Sequence, residues 1–330
     1  EQSNLRIFAR LLQATTWADS MLLYRDNEYD KEYKTLRAEA SGNYPEFRVT
    51  GYIAFTETDS VFHEDWGVPL PAINPKDQSM ENWEEILSII KRKCQETYPQ
   101  ATSENMQSQD NAVNQFISYH LLPFMVPLSG LFNERHSWGQ QLGYHINHWD
   151  FTRPMGKPNR ILKLIKTGAD GVYHLNRHCY YDNSFSGTYK ETSCDYEGIT
   201  IHPDNGRHLD NLAPNGYFYP IDHVLLYTDY VRNVVLNDRL RYTAPMMVPE
   251  LFSNGLYLGS PRFQTYLVRD YIKSVQWTGA KFYYALDGEY EQSNLHMQTK
   301  NGSTITFPLL PVPYAGTWEI RLWNSWTYVA

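Results

Sequence analysis

The hydrophobic period changes along the chain, and that change limits the architecture more than any other feature. In the front two-thirds, apolar residues recur at three- and four-residue steps. Leu5, Phe8, Leu11, Leu12, Trp17, Met21 and Leu22 predict one amphipathic helix over 5–22, capped by Ser3 or Asn4. Trp83, Ile86, Leu87, Ile90 and Cys94 form a second stripe. Val113, Phe116, Ile117, His120 and Leu121 form a third, with Asp110 or Asn111 as its cap. Pro123 is its expected stop, because proline cannot continue the hydrogen-bond ladder. Residues 47–55 read as a strand. Residues 129–198 alternate short apolar runs with Gly, Asn and Tyr, which predicts strands and hairpins. Asn215-Gly216 predicts a tight turn with positive φ, followed by a strand over 217–227. Beyond about residue 236 the pattern shortens to strands with glycine turns, over 263–267, 280–286, 304–310 and 317–323. The expected fold class is therefore an α+β unit over 1–235, followed by an all-β sandwich-like unit over 236–330.

Composition removes several classes of function. The 330 residues carry 29 basic and 37 acidic side chains, a net charge of −8, which argues against nucleic acid as a partner. The longest apolar stretch, 121–132, is broken by Pro123, Pro127, Ser129 and Gly130, far short of the roughly 18 residues of a spanning helix. The chain opens at Glu1 with neither Met nor a signal-peptide core, as a mature or trimmed form would. Three cysteines, Cys94, Cys179 and Cys194, are too few for a disulfide scaffold and lack zinc-ribbon spacing. Cys94 falls on a helix stripe and reads as core. Cys179 and Cys194 leave two readings open, a disulfide or two free thiols.

Three segments, in order, resemble the fasciclin domain. Tyr52-Ile53-Ala54-Phe55-Thr56-Glu57-Thr58-Asp59-Ser60-Val61-Phe62 is similar to the family's first motif, an apolar strand ending in Phe-Ala-Pro-Thr-Asp/Asn-x-Ala-Phe. Phe116 through Tyr119-His120 to Pro123 is similar to its Tyr-His segment at a helix end. Asn215-Gly216-Tyr217-Phe218-Tyr219-Pro220-Ile221-Asp222-His223-Val224-Leu225 looks like the second motif, Asn-Gly-x-Ile-x-x-Ile-Asp-x-Val-Leu. Two departures stand out. Thr56-Glu57 replaces the usual Ala-Pro, and the stretch before the second motif is long, implying an insertion at about 129–198. The resemblance implies a β-wedge with helices, in which Phe55, Thr58, Asp59, Tyr119, His120, Asn215, Gly216, Ile221 and Asp222 are structural. Thr56, Thr58 or Asp59 is expected to accept from the free backbone N–H groups of a short following helix.

A second resemblance concerns the tail. Val248-Pro249-Glu250-Leu251-Phe252 and the run Pro311 through Gly316-Thr317-Trp318-Glu319-Ile320-Arg321 look like the β-domain that follows the fasciclin domain in lipoproteins of Bacteroidota. Such β-domains continue past this strand, so the sandwich is expected either to be incomplete at Ala330 or to be completed differently. This resemblance implies a non-enzymatic accessory protein at the outer-membrane cell surface, anchored by a lipid upstream of Glu1. Its implied partners are SusC/SusD-type, TonB-dependent transporter components or other outer-membrane proteins. The rival expectation is a structural adhesion or scaffold protein without a small ligand.

The residues themselves show little chemistry. There is no Gly-x-Ser-x-Gly elbow, phosphate-binding glycine loop or His-Glu-x-x-His. Acidic pairs such as Glu84-Glu85 read as solvated helix faces. His145 and His148, or His174 and His178, read as surface histidines rather than metal ligands, so neither metal nor cofactor is expected. What remains is aromatic surplus: 26 Tyr, 14 Phe and 9 Trp. A flat apolar ring with a polar edge suits half-wet contacts, including the face of a sugar. Polysaccharide or oligosaccharide is thus a candidate ligand. Trp277, Tyr284, Trp323, Trp326 and Tyr328 are the candidate platforms, with Tyr173, Tyr180 and Tyr181 as a further set.

Overall fold

The computed structural model describes residues 4–27, 29, 47–131, 134–136, 145–147, 150–167, 172–181, 191–201, 211–238, 240, 244–254, 264–266, 271–287 and 292–320. The chain opens with α1 (Arg6–Ala14) and α2 (Trp17–Leu22), two helices where the spacing predicts one. The break has a local cause. The Leu11 carbonyl accepts both the Thr15 N–H at 3.0 Å and the Thr15 hydroxyl at 2.7 Å, and the next residue, Thr16, turns to φ 63°, which ends the helix. Of the two expected caps, Ser3 lies outside the described residues and Asn4 does not cap α1; the Ile7 N–H is met by the carboxylate of Asp59, 52 residues away, at 2.9 Å.

Strand β1 (Tyr52–Glu57) follows, then α3 (Asp59–Trp66), α4 (Trp83–Thr97) and α5 (Ala112–Tyr119). Thr58 caps α3 by accepting from the Val61 N–H at 3.3 Å. Asn111 caps α5 by accepting from Val113 and Asn114. Helix α5 stops at Tyr119, four residues before Pro123, because Leu121–Leu122 leave it as strand β2 and pair with β1. After α6 (Leu128–Leu131) the described residues form nine strands: β3 (Glu134–His136), β4 (His145–Asn147), β5 (Phe151–Thr152), β6 (Leu162–Thr167), β7 (Val172–Leu175), β8 (His178–Tyr181), β9 (Glu191–Tyr196), β10 (Ile199–Thr200) and β11 (Asn211–Ala213). Strand β12 (Gly216–Ile221) closes the central sheet, whose order is β11-β12-β1-β2.

Strands β1 and β12 run parallel, with Phe55 opposite Tyr219 and Glu57 opposite Ile221. Parallel neighbours require a crossover, and everything from α3 to β11 forms it. All six residues of β1 are buried, as a strand covered on both faces must be. Its two-residue period sorts them. Ala54 faces the helical layer with Phe8, Phe62, Ile90 and Phe116. Ile53 and Phe55 face a second core with Tyr219, Ile221 and the strand residues Leu162, Leu164 and Leu175.

The Asn215-Gly216 turn expectation is corrected. The hairpin loop is Pro214-Asn215, since Ala213 already pairs with Gly216, and neither Asn215 nor Gly216 has positive φ. Glycine is required at 216 for a different reason: a Cβ there would sit 1.9 Å from the Tyr52 carbonyl oxygen. Strand β12 also ends at Ile221 rather than at 227, because Asp222 turns away to bond Thr200.

The later chain contributes a single-turn π-helix (Val231–Val235), a 3-10 turn (Ala244–Met247), α7 (Pro249–Ser253) and the strands β13 (Gln264–Tyr266), β14 (Gln276–Asp287) and β15 (Gln292–Thr306). The last three form one antiparallel sheet in the order β13-β14-β15. Residues 307–320 are irregular, including the expected strand start at Thr317, and 321–330 lie outside the described residues. The core does not stop at 235. Val248, Leu251, Phe252, Tyr271, Ile272, Val275 and Trp277 pack in the same cluster as Phe55 and Tyr219. Polar contacts join the same segments: Arg48 donates to the Tyr271 carbonyl, Val49 N–H to Asn254, and Met125 N–H to Ser253.

Candidate functional site

The motif residues converge on backbone, not on an opening. Tyr119 donates to the Ile161 carbonyl at 2.9 Å and accepts from Asn176 at 3.1 Å, so it ties α5 to the β5–β7 region. Burial pushes its phenol well above the ordinary range. Asp222 accepts from the Thr200 N–H at 2.7 Å, joining β12 to β10. Burial raises the carboxyl of Asp59, although the Ile7 and Arg6 N–H groups oppose that shift.

Below them lies a pair that the sequence reading did not identify. His120 Nε2 is 2.6 Å from Glu57 Oε1, and both side chains are 0% exposed. His120 Nδ1 lies 2.8 Å from the Phe116 carbonyl, which can only accept, so Nδ1 carries a hydrogen. A further hydrogen must lie between Nε2 and Oε1. The Leu225 N–H also donates to Oε1, while Oε2 has no hydrogen-bond partner among the described residues. Glu57 is where the chain departs from the motif it resembles, and there a buried carboxylate joins β1, α5 and the segment after β12. Beside this layer, Arg160 donates to Gln115 and stacks on Tyr98 and Tyr227 at 4.4 and 5.3 Å. Burial pushes the Tyr98 phenol up to about 12. No ligand reaches these groups without opening the core.

A second imidazole–carboxylate pair stands at the surface. Strands β8 and β9 form a separate two-stranded ribbon, clipped by a Cys179–Cys194 disulfide. A two-stranded ribbon alone is marginal, so the clip and the packing beneath carry it. Cys179 is buried, and the strand period turns Tyr180 outward to 53% exposure. Across the ribbon, Ser193, Asp195 and Glu197 are exposed while Cys194 and Tyr196 are half-buried. His178 Nδ1 meets Asp195 Oδ1 at 2.7 Å, and the Tyr230 hydroxyl meets Oδ2 at 3.3 Å. The Tyr180 ring lies edge-on to His178 at 5.2 Å, and Tyr230 lies 5.6 Å from Tyr196. His178 and Tyr230 hold the Asp195 carboxyl below its ordinary range. Partial desolvation and the Asp195 charge hold the Tyr230 phenol above its own. The result is a ledge with a carboxylate and an imidazole between two exposed phenols.

Of the expected aromatic residues, Tyr180 stands on this ledge. Trp277 is corrected: it is 4% exposed in the main core, because β14 turns that ring under the sheet rather than toward solvent. Tyr284 lies on β14 between Thr265 and Leu295. Trp323, Trp326 and Tyr328 lie outside the described residues. His174, expected at the surface, is buried in β7. His145 is on β4, and His148 lies outside the described residues. Asp195 and Tyr230 were not anticipated. Once Cys179 and Cys194 are joined, alternation places 178, 180, 193 and 195 on the opposite face, so the signal for His178, Tyr180 and Asp195 was present. Nothing local announced Tyr230, which arrives from a distant turn. Among the described residues no group of three or more His, Cys, Asp or Glu is arranged to hold a metal. No described helix is long and apolar enough to cross a membrane. The chain matches no protein-family model, no curated protein and no solved structure.

Proposed function

We propose that the chain is a non-enzymatic binding protein of the cell surface, an accessory of a SusC/SusD-type outer-membrane uptake complex that helps capture a nutrient glycan. The observation that carries the reading is the ledge on the β8–β9 ribbon, where aromatic rings stand beside hydrogen-bonding groups at the surface. A disulfide in a chain of this size agrees with an oxidising compartment. The transporter as partner rests on the resemblance of the motifs and the tail. The test is a pull-down from solubilised outer membranes with the tagged chain, together with its mobility in native gels containing polysaccharide. Co-purification of a transporter component and retardation in the gel are expected; the absence of both removes the reading.

A second reading, a structural adhesion or scaffold protein, is favoured by a different observation. Leu22, Leu23 and Tyr24 are 75%, 61% and 50% exposed. Leu212, on the edge strand β11, is 72% exposed. The Asn215–Met21 and Tyr52–Ser20 hydrogen bonds bring the end of α2 beside the β11–β12 hairpin. Consecutive large apolar residues left exposed, as at Leu22 to Tyr24, form the kind of surface that marks protein contact. Substituting Leu23→Asp and Leu212→Asp should abolish co-purification and leave gel retardation unchanged if this reading holds. Intact assembly in that variant counts against it.

A further inference from the structure

We infer that the ledge of Tyr180, His178, Asp195 and Tyr230 is a saccharide site that takes a neutral pyranose, and this rests on the glycan-capture reading above. The recognition chemistry is specific. Tyr180 and Tyr230 present exposed rings, the surface on which the C–H face of a pyranose stacks. Between them stands Asp195. Each carboxylate oxygen has two acceptor sites; Oδ1 uses one for His178 and Oδ2 one for Tyr230, so each keeps one for a sugar hydroxyl. With Nδ1 donating to Asp195, a neutral His178 also offers Nε2 as an acceptor. A ring with equatorial hydroxyls at its rim and C–H bonds on its face matches this arrangement of acceptors between phenols.

Charge decides which sugars fit. Around the ledge, Glu197 is paired with Arg177, and Asp229 with Arg232. Asp195 is bonded to an imidazole and a phenol, so its negative charge is not neutralised by Lys or Arg among the described contacts. The low carboxyl pKa keeps it ionised through the neutral range. A uronate or sulfated sugar would bring a second anion onto a carboxylate, which like-charge repulsion disfavours. A neutral hexose or pentose chain has no such conflict.

The test is calorimetric titration of the purified chain with neutral gluco-, manno- and xylo-oligosaccharides and with oligogalacturonate. The variants are Tyr180→Ala and Asp195→Asn, with Tyr24→Ala as an exposed-tyrosine control outside the ledge. Expected is binding of at least one neutral oligosaccharide, weakened about tenfold by Tyr180→Ala and not by Tyr24→Ala. Asp195→Asn should weaken it as well. Neutral binding that survives both ledge substitutions overturns the site while leaving glycan capture standing. Equal or tighter binding of oligogalacturonate overturns the neutral assignment. No binding of any saccharide overturns the inference, and the transporter pull-down then reports separately on the accessory role.

Discussion

Two imidazole–carboxylate pairs of nearly equal length stand in opposite surroundings. His120 and Glu57 meet at 2.6 Å with neither side chain exposed, whereas His178 and Asp195 meet at 2.7 Å with side chains 15% and 34% exposed. In the core, the pair connects β1, α5 and the chain after β12, and its loss would strand a polar group in apolar surroundings. On the ribbon, water screens the pair, and its lone pairs remain open to a ligand. The same chemistry therefore holds the backbone in one place and presents a surface in the other.

The largest expected effect tests the core pair. His120→Ala leaves Glu57 buried without its imidazole and should cost about 3–5 kcal/mol, read as a drop in urea midpoint at unchanged slope. A cost below about 1 kcal/mol would break the contrast, since that is the range of exposed pairs. Trp277→Ala should lose a comparable amount, about 3–5 kcal/mol, because that ring is in the core. Tyr180→Ala, by contrast, should leave the urea midpoint in place.

A smaller and local loss is expected from Cys179→Ser with Cys194→Ser. Opening a cross-link with a sequence separation of 15 removes about 3 kcal/mol in the loop-entropy account. Hydrogen exchange should speed up in β8 and β9 while α4 and α5 stay protected. Uniform acceleration through the helical layer would show that the ribbon is not a separate unit.

The smallest effect is electrostatic. The folded carboxyl of Asp195 lies below its ordinary value, chiefly through the His178 hydrogen bond. A depressed acid stabilises the fold above its unfolded pKa, and that contribution disappears as pH falls through the folded value. Carboxyl NMR titration should place the Asp195 midpoint below that of an ordinary aspartate and move it upward in His178→Ala. An unmoved midpoint would detach the imidazole from the carboxylate.

Much of the helical layer was legible because its signals are local. The stripe of Ile86, Leu87, Ile90 and Cys94 and the Asn111 cap appear in the structure where the spacing puts them. The break at Thr15-Thr16 was not, since seven apolar residues continue the period across it and the interruption is the backbone turn of Thr16 to φ 63°. Trp277 was misplaced because exposure depends on what covers a strand, and its cover comes from residues far away in the chain. Gly216 was legible as a glycine position, but the close approach of the Tyr52 carbonyl, not a turn, requires it.

The sequence by itself determined the stripes of α4 and α5, the Thr58 and Asn111 caps and the alternation that divides β1 between two cores, because each depends on neighbours within a few residues. Tertiary structure decided which polar groups are sealed and which face water. Glu57 meets His120 across 63 residues and Leu225 across 168, and Tyr230 reaches Asp195 across 35. Burial is a property of the packed chain, and no local pattern carries it.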